Sequence, residues 1–154
     1  MAALPSALAP AAEVLASTRS ATAFKLGADL PGLCRPDKLV VYFDRLDDLR
    51  AVAEELRGRL AGQPAHGVPF TAAITDDGLL SWGADPPRGV DGVRSTSWRL
   101  WIARRLAEYL ISARTSDGGV AAWRFALDRL RLSGVDTDTW APAGGMWPRA
   151  AASG

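Results

Sequence analysis

The stretch KLVVYFD, residues 38–44, followed by LDDLRAVAEELRGRLAG, residues 46–62, constrains this chain more than any other. Five apolar residues between Lys38 and Asp44, rich in β-branched and aromatic types, predict a strand, and a run without polar interruption predicts one covered on both faces. In the next segment Leu46, Leu49, Val52, Ala53, Leu56 and Leu60 recur at spacings of three and four, the stripe of an amphipathic helix. Asp47 and Asp48 suit the positive end of that helix and Arg57 and Arg59 its negative end, with Gly62 closing it. A strand handing over to a helix within two residues calls for a mixed core.

The other segments extend this to an α+β fold. ATAFKLGA (21–28) predicts a strand with Phe24 and Leu26 on one face and Ala23 and Lys25 on the other. VPFTAAI (68–74) and LLSWG (79–83) are apolar runs joined by Thr75-Asp76-Asp77-Gly78, and an Asp-Gly pair in that position is a hairpin signal. A helix over 96–114 carries Trp98, Trp101, Ile102, Leu106, Tyr109, Leu110 and Ala113 at helical spacing, with Ser95, Thr96 or Ser97 as its cap. A last helix over 120–132 would turn Val120, Trp123, Leu127 and Leu130 inward. The expected architecture is a small mixed or antiparallel sheet of about four strands packed against two long helices and one shorter helix. Residues 1–18, interrupted by Pro5 and Pro10, read as a frayed or flexible lead-in, 19–142 as the folded domain, and 143–154 as a flexible tail.

Composition excludes several classes. With 154 residues, 48% hydrophobic and 23% charged, the chain is ordinary globular material with room for one core. A net charge of +1 offers no broad attraction to nucleic acid or anionic lipid. No apolar run approaches the roughly 20 residues that span a bilayer. The N-terminal run lacks the basic start of a signal peptide. Cys34 is the single cysteine, without metal-ligand neighbours, which fits a reducing, cytoplasmic setting and argues against zinc. No cofactor motif is present: there is no P-loop, Gly-rich dinucleotide turn or nucleophile elbow. Six Trp are either core or partner surface.

Two places invite chemistry. Arg88, Arg94 and Arg99 flank Ser95, Thr96 and Ser97 at the start of the long helix, where free N–H groups, the helix dipole, hydroxyls and guanidinium forks would converge on a phosphate; the same residues also serve as a cap and a solvated helix start. Lys25 is one of two lysines against sixteen arginines, and its strand face carries only Ala23 and Gly27 beside it. That would leave a substrate cavity in which a partly buried amine acts as a base, with Tyr42 and Asp44 as neighbours on the next strand; an edge lysine reaching solvent is the alternative. His66 reads as a solvated loop residue.

Three stretches, RPDKLVVYFDRLDDLRAVAEEL (35–56), PFTAAITDDGLLSWGADPP (69–87) with SWRLWIARRLAEYL (97–110), and RFALDRLRLSGVDTDTWAP (124–142), resemble in order the C-terminal part of the HopA-type effector-like family, over roughly residues 20–142. That family takes in bacterial type III effectors and proteins of class V lanthipeptide and thioamitide biosynthesis. The resemblance implies a lyase that eliminates phosphate from phosphorylated Ser or Thr of a precursor peptide, beside a kinase-like phosphotransferase and a cyclase. It implies Lys25 as the base; Tyr42 on the adjacent strand, and Arg19 or the arginines of 88–99 holding phosphate, complete the expected site. Phe24-Lys25-Leu26 resembles the start of the phosphothreonine lyases' Lys-x-His-x-Ser strand, but Gly27 stands where the acid histidine would be. Longer members carry a region ahead of the matched part, which implies that half a site would come from a partner. A non-catalytic subunit that binds peptide or kinase is the other expectation.

Overall fold

The computed structural model describes residues 3–86, 96–115 and 119–143, with side chains from residue 7 onward. The elements run α1 (Ala3–Ser17), β1 (Ala21–Leu26), α2 (Leu30–Leu33), β2 (Leu39–Phe43), α3 (Leu46–Arg59), β3 (Ala72–Ala73), β4 (Ser81–Trp82), α4 (Trp98–Ala113) and α5 (Ala122–Leu132). The fold is α+β as expected, and its three longer predicted helices form within two residues of their expected bounds.

The sheet differs from expectation. The strands form two antiparallel pairs, β1 with β2 and β3 with β4, and no four-stranded sheet forms among the described residues. Phe70 is the physical reason for the short β3: it adopts a φ of 61°, a left-handed conformation that a bulky residue rarely takes and that no strand passes through. The run 68–74 therefore turns before it can pair along its length. Among the described residues β1 is the only strand neighbour of β2, and each β2 residue is half-buried, contrary to the covered central strand its sequence predicts. The predicted turn does form. Gly78 N donates to Thr75 O at 2.9 Å, with Gly78 at φ 74°, and Leu79 N donates to the Asp77 carboxylate at 2.9 Å.

The chain divides into two compact units, Met1–Val68 with Ile74–Ser81, and Pro69–Ala73 with Trp82–Gly154. In the first, α1 and α3 enclose a core of Ala11, Val14, Val52, Leu56 and Leu60, with Leu39, Phe43, Leu79 and Leu80 against it. The prolines of the N-terminal segment predict fraying, yet α1 runs through Pro10. Burial offsets what the ring costs: Val14 is 1% exposed and Ala11 2%. The hydroxyls of Ser17 and Thr18 then donate to Val14 O at 2.8 and 2.7 Å and end the helix.

The second unit is an α4–α5 pair around Trp98, Trp101, Ile102, Leu130 and Val135. Trp98 and Trp101 stack with centroids 5.5 Å apart, and Phe70 meets Trp140 edge-on at 5.1 Å. Beyond α5 the segment that reads as irregular is closed by main-chain bonds, from Asp136 N to Ala141 O and from Ala143 N to Gly134 O, both 2.9 Å. The inward stripe of α5 is Ala126 and Leu130; Trp123 and Val120, expected inward, are more than half exposed.

Candidate functional site

A concavity lies in the first unit, between α1 and β1. It is a groove of about 690 Å³ whose walls include Leu8, Ala11 and Leu15 of α1, Phe24 and Leu26 of β1, and Leu39 of β2. Among the described residues no charged side chain lines it. Its residues come together through two periodicities. Leu8, Ala11 and Leu15 share a helix face at spacings of three and four, while Phe24 and Leu26 share a strand face at a spacing of two. Register confirms the second, since Leu26 pairs with Leu39, another wall residue, across the β1–β2 ladder. Phe24 remains 65% exposed and Leu26 43%, so the folded monomer leaves much of this apolar surface in water.

The ladder also exposes main chain. Gly27 N donates to Lys38 O at 2.9 Å, so the pairs of the same parity, Lys25 with Val40 and Ala23 with Tyr42, are the hydrogen-bonded ones. In the intervening residues, Phe24 and Leu26, the N–H and C=O groups are directed away from β2, toward the free edge of β1. That edge is open among the described residues, because the sheet has two strands. An apolar groove and an unpaired strand edge thus share the same two residues.

Lys25 and Tyr42, paired by sequence reasoning, do come together. The Lys25 ammonium lies 5.0 Å from the centre of the Tyr42 ring, a contact that aromatic faces make with the charged form of the amine. By strand alternation both lie on the sheet face opposite Phe24 and Leu26, and Lys25 is exposed. Of the two small residues expected to leave space beside Lys25, Ala23 lines the groove, whereas Gly27 leaves none. At Gly27 the space is taken by backbone: a Cβ would fall 2.4 Å from Gly32 C and 2.7 Å from Gly32 O and Leu33 N. No histidine fits that position without displacing the β1–α2 turn. Asp29 sets the turn by capping α2, its carboxylate accepting from Gly32 N at 2.8 Å.

Arg19 is exposed two residues before β1. Of the residues expected to cradle phosphate at the start of α4, Arg88, Arg94 and Ser95 lie outside the described residues. Ser97 is the N-cap, its hydroxyl accepting from Leu100 N at 3.4 Å, and Arg99 Nε donates to Pro69 O at 3.1 Å. Those two side chains therefore have structural partners within the second unit, whereas Arg19, Lys25 and Tyr42 belong to the first. No set of three His, Cys, Asp or Glu suited to a metal ion occurs among the described residues, and no described helix is long and apolar enough to cross a membrane.

Sequence reasoning missed the groove because it took the N-terminal segment for a lead-in; the signal was the spacing of Leu8, Ala11 and Leu15 beneath its prolines. The chain matches no family model, no curated protein and no solved structure.

Proposed function

We propose that this chain is the peptide-holding component of a Ser/Thr-modifying assembly of the lanthipeptide type, seating an extended precursor-peptide segment along β1. The observation that carries this reading is the coincidence, at Phe24 and Leu26, of an apolar groove with outward-directed main-chain groups. Strand addition uses both: main-chain bonds supply affinity, and pockets for alternate side chains supply selectivity. A peptide paired with β1 would send every second side chain to the groove, and those residues would be apolar and uncharged to match it. The residues between them would project to the face of Lys25 and Tyr42. The HopA-type resemblance adds a kinase-like phosphotransferase and a cyclase as the other members of the assembly.

A second reading makes the chain the phosphate-eliminating lyase itself, with Lys25 and Tyr42 side by side on the strand face that the peptide would cross. Lys25 would take the Cα proton of a phosphorylated Ser or Thr presented on that face. The Cα–H electrons would form the Cα=Cβ bond as the Cβ–O bond breaks, and phosphate would leave toward Arg19 or the arginines of 88–99.

One set of measurements separates the readings. A labelled phosphothreonine peptide with alternating apolar residues is titrated into the chain, and loss of phosphoric acid is followed by mass after the kinase-like partner is added. Phe24→Ser with Leu26→Ser should abolish binding while the chain stays folded, since neither side chain belongs to the buried core. Lys25→Ala should leave binding and turnover intact for a holder, and should leave binding but remove elimination for a lyase. Undiminished binding by the Phe24 and Leu26 variants would overturn the groove as the peptide's seat.

A further inference from the structure

In the second unit, α4 is apolar on two opposite faces. Its inner face holds Trp98, Trp101 and Ile102, exposed by 4%, 3% and 0%. On the far side of the same helix, Leu100, Ala103, Ala107 and Ile111 follow one another at spacings of three and four, and Leu110 adjoins Ile111. Leu100 is 46% exposed, Leu110 41% and Ile111 66%. A helix apolar on two faces is suited to being covered on both, yet among the described residues only the inner face is covered.

Charge identifies what would cover the outer face. α4 and its C-cap carry Arg99, Arg104, Arg105 and Arg114 against Glu108 as their acidic residue. Arg105 lies over Trp101 and reaches Glu108 at 3.1 Å, and Arg99 donates to Pro69 O. Arg104 and Arg114 are exposed, with no acidic partner among the described residues. Arg104 belongs to the outer ridge itself, and Arg114 lies ten residues on, about 15 Å along the axis.

We propose that the outer ridge of α4 docks an acidic amphipathic helix of a partner protein, with apolar side chains over Leu100, Ala107 and Ile111 and carboxylates against Arg104 and Arg114. The main chain of α4 is saturated by its own helical bonds, so an added strand has nothing to pair with there. A ridge with alanines at i and i+4 lets a second helix approach closely, ridge into groove. A second copy meeting this ridge through its own α4 would bring the same arginines and no uncommitted carboxylate there, because Glu108 is engaged with Arg105. Complementarity therefore selects an acidic partner. This surface is independent of the β1 groove.

The test uses the full chain and a labelled helical probe of ~20 residues, with Leu and Ile on one face and Glu flanking it at the spacing of Arg104 and Arg114. Fluorescence anisotropy should show binding that weakens with salt, and Ile111→Glu should lower affinity by about tenfold or more. The exposed charge swap, Arg104→Glu with Arg114→Glu, should lose the Glu probe and gain the same probe carrying Lys in place of Glu. Far-UV circular dichroism confirms the fold of each variant. No binding of the Glu probe, equal binding of both probes, or indifference to the charge swap would overturn the proposal. So would concentration-dependent self-association, seen in sedimentation, that Ile111→Glu abolishes, since that would give the ridge to a second copy.

Discussion

Replacing Gly27 with alanine tests the link between the close β1–α2 turn and the groove beside it. The added methyl carbon would stand 2.4 Å from Gly32 C, against roughly 3.5–4.0 Å for an unstrained carbon contact, and its three nearest neighbours are all backbone. No rotamer relieves that overlap; the end of β1 or the start of α2 has to move. Overpacking of this kind costs about 1–3 kcal/mol. Movement of β1 also endangers the 2.9 Å bond from Gly27 N to Lys38 O, a further ~1 kcal/mol. The expected destabilisation of Gly27→Ala is therefore about 2–4 kcal/mol. Gly58→Ala is the internal control, because it lies in the same unit, inside α3, with nothing within 4 Å of the new methyl. There alanine removes backbone freedom from the unfolded chain and should stabilise by about 0.5–1 kcal/mol. Urea unfolding followed by far-UV circular dichroism is the suitable assay, since none of the six tryptophans falls within the first unit. With a slope of about 1–3 kcal/mol per molar urea, the two midpoints should separate by a molar or more, in opposite directions from the parent. If Gly27→Ala unfolds at or above the parent midpoint, the close backbone approach does not exist, and the exclusion of a histidine from this position falls with it.

Other expectations follow from the same geometry. Leu130→Ala, at a position with 0% exposure between α4 and α5, should cost about 2–5 kcal/mol and shift tryptophan fluorescence, whereas Leu132→Ala, 76% exposed, should leave the melt within about 0.5 kcal/mol of the parent. Tyr109→Phe removes the 2.6 Å hydroxyl contact with Ser133 and should cost about 1 kcal/mol by the same measurement. Acid should weaken both units through identifiable carboxylates. Asp136 is held below its ordinary range chiefly by the N–H of Asp138 and the Thr139 side chain, and Asp77 by the Thr75 hydroxyl and the N–H of Leu79. A lowered folded pKa contributes stability above the unfolded value of about 3.9, lost as pH falls through the folded one. Asp136→Asn and Asp77→Asn should thus unfold earlier than the parent at neutral pH and converge with it in strong acid, as read from urea midpoints against pH.

Local rules in the sequence were sufficient wherever one element satisfies itself. The stripe through Val52 and Leu56, the acids and arginines at the two ends of α3, the Ser97 cap of α4 and the Thr75–Gly78 turn depend on neighbours a few residues away, and all are present in the structure. Lys25 and Tyr42 were legible as neighbours because alternation fixes which strand residues share a face. Tertiary structure alone decided the rest. That α1 survives Pro10 depends on α3 burying Val14; that β3 stops short depends on the left-handed turn at Phe70; and that Gly27 is filled rather than hollow depends on Gly32, five residues on but folded back against it. Periodicity says which residues share a side, but only packing decides whether that side meets another part of the chain or is left to face water, as Phe24, Ile111 and Trp123 are.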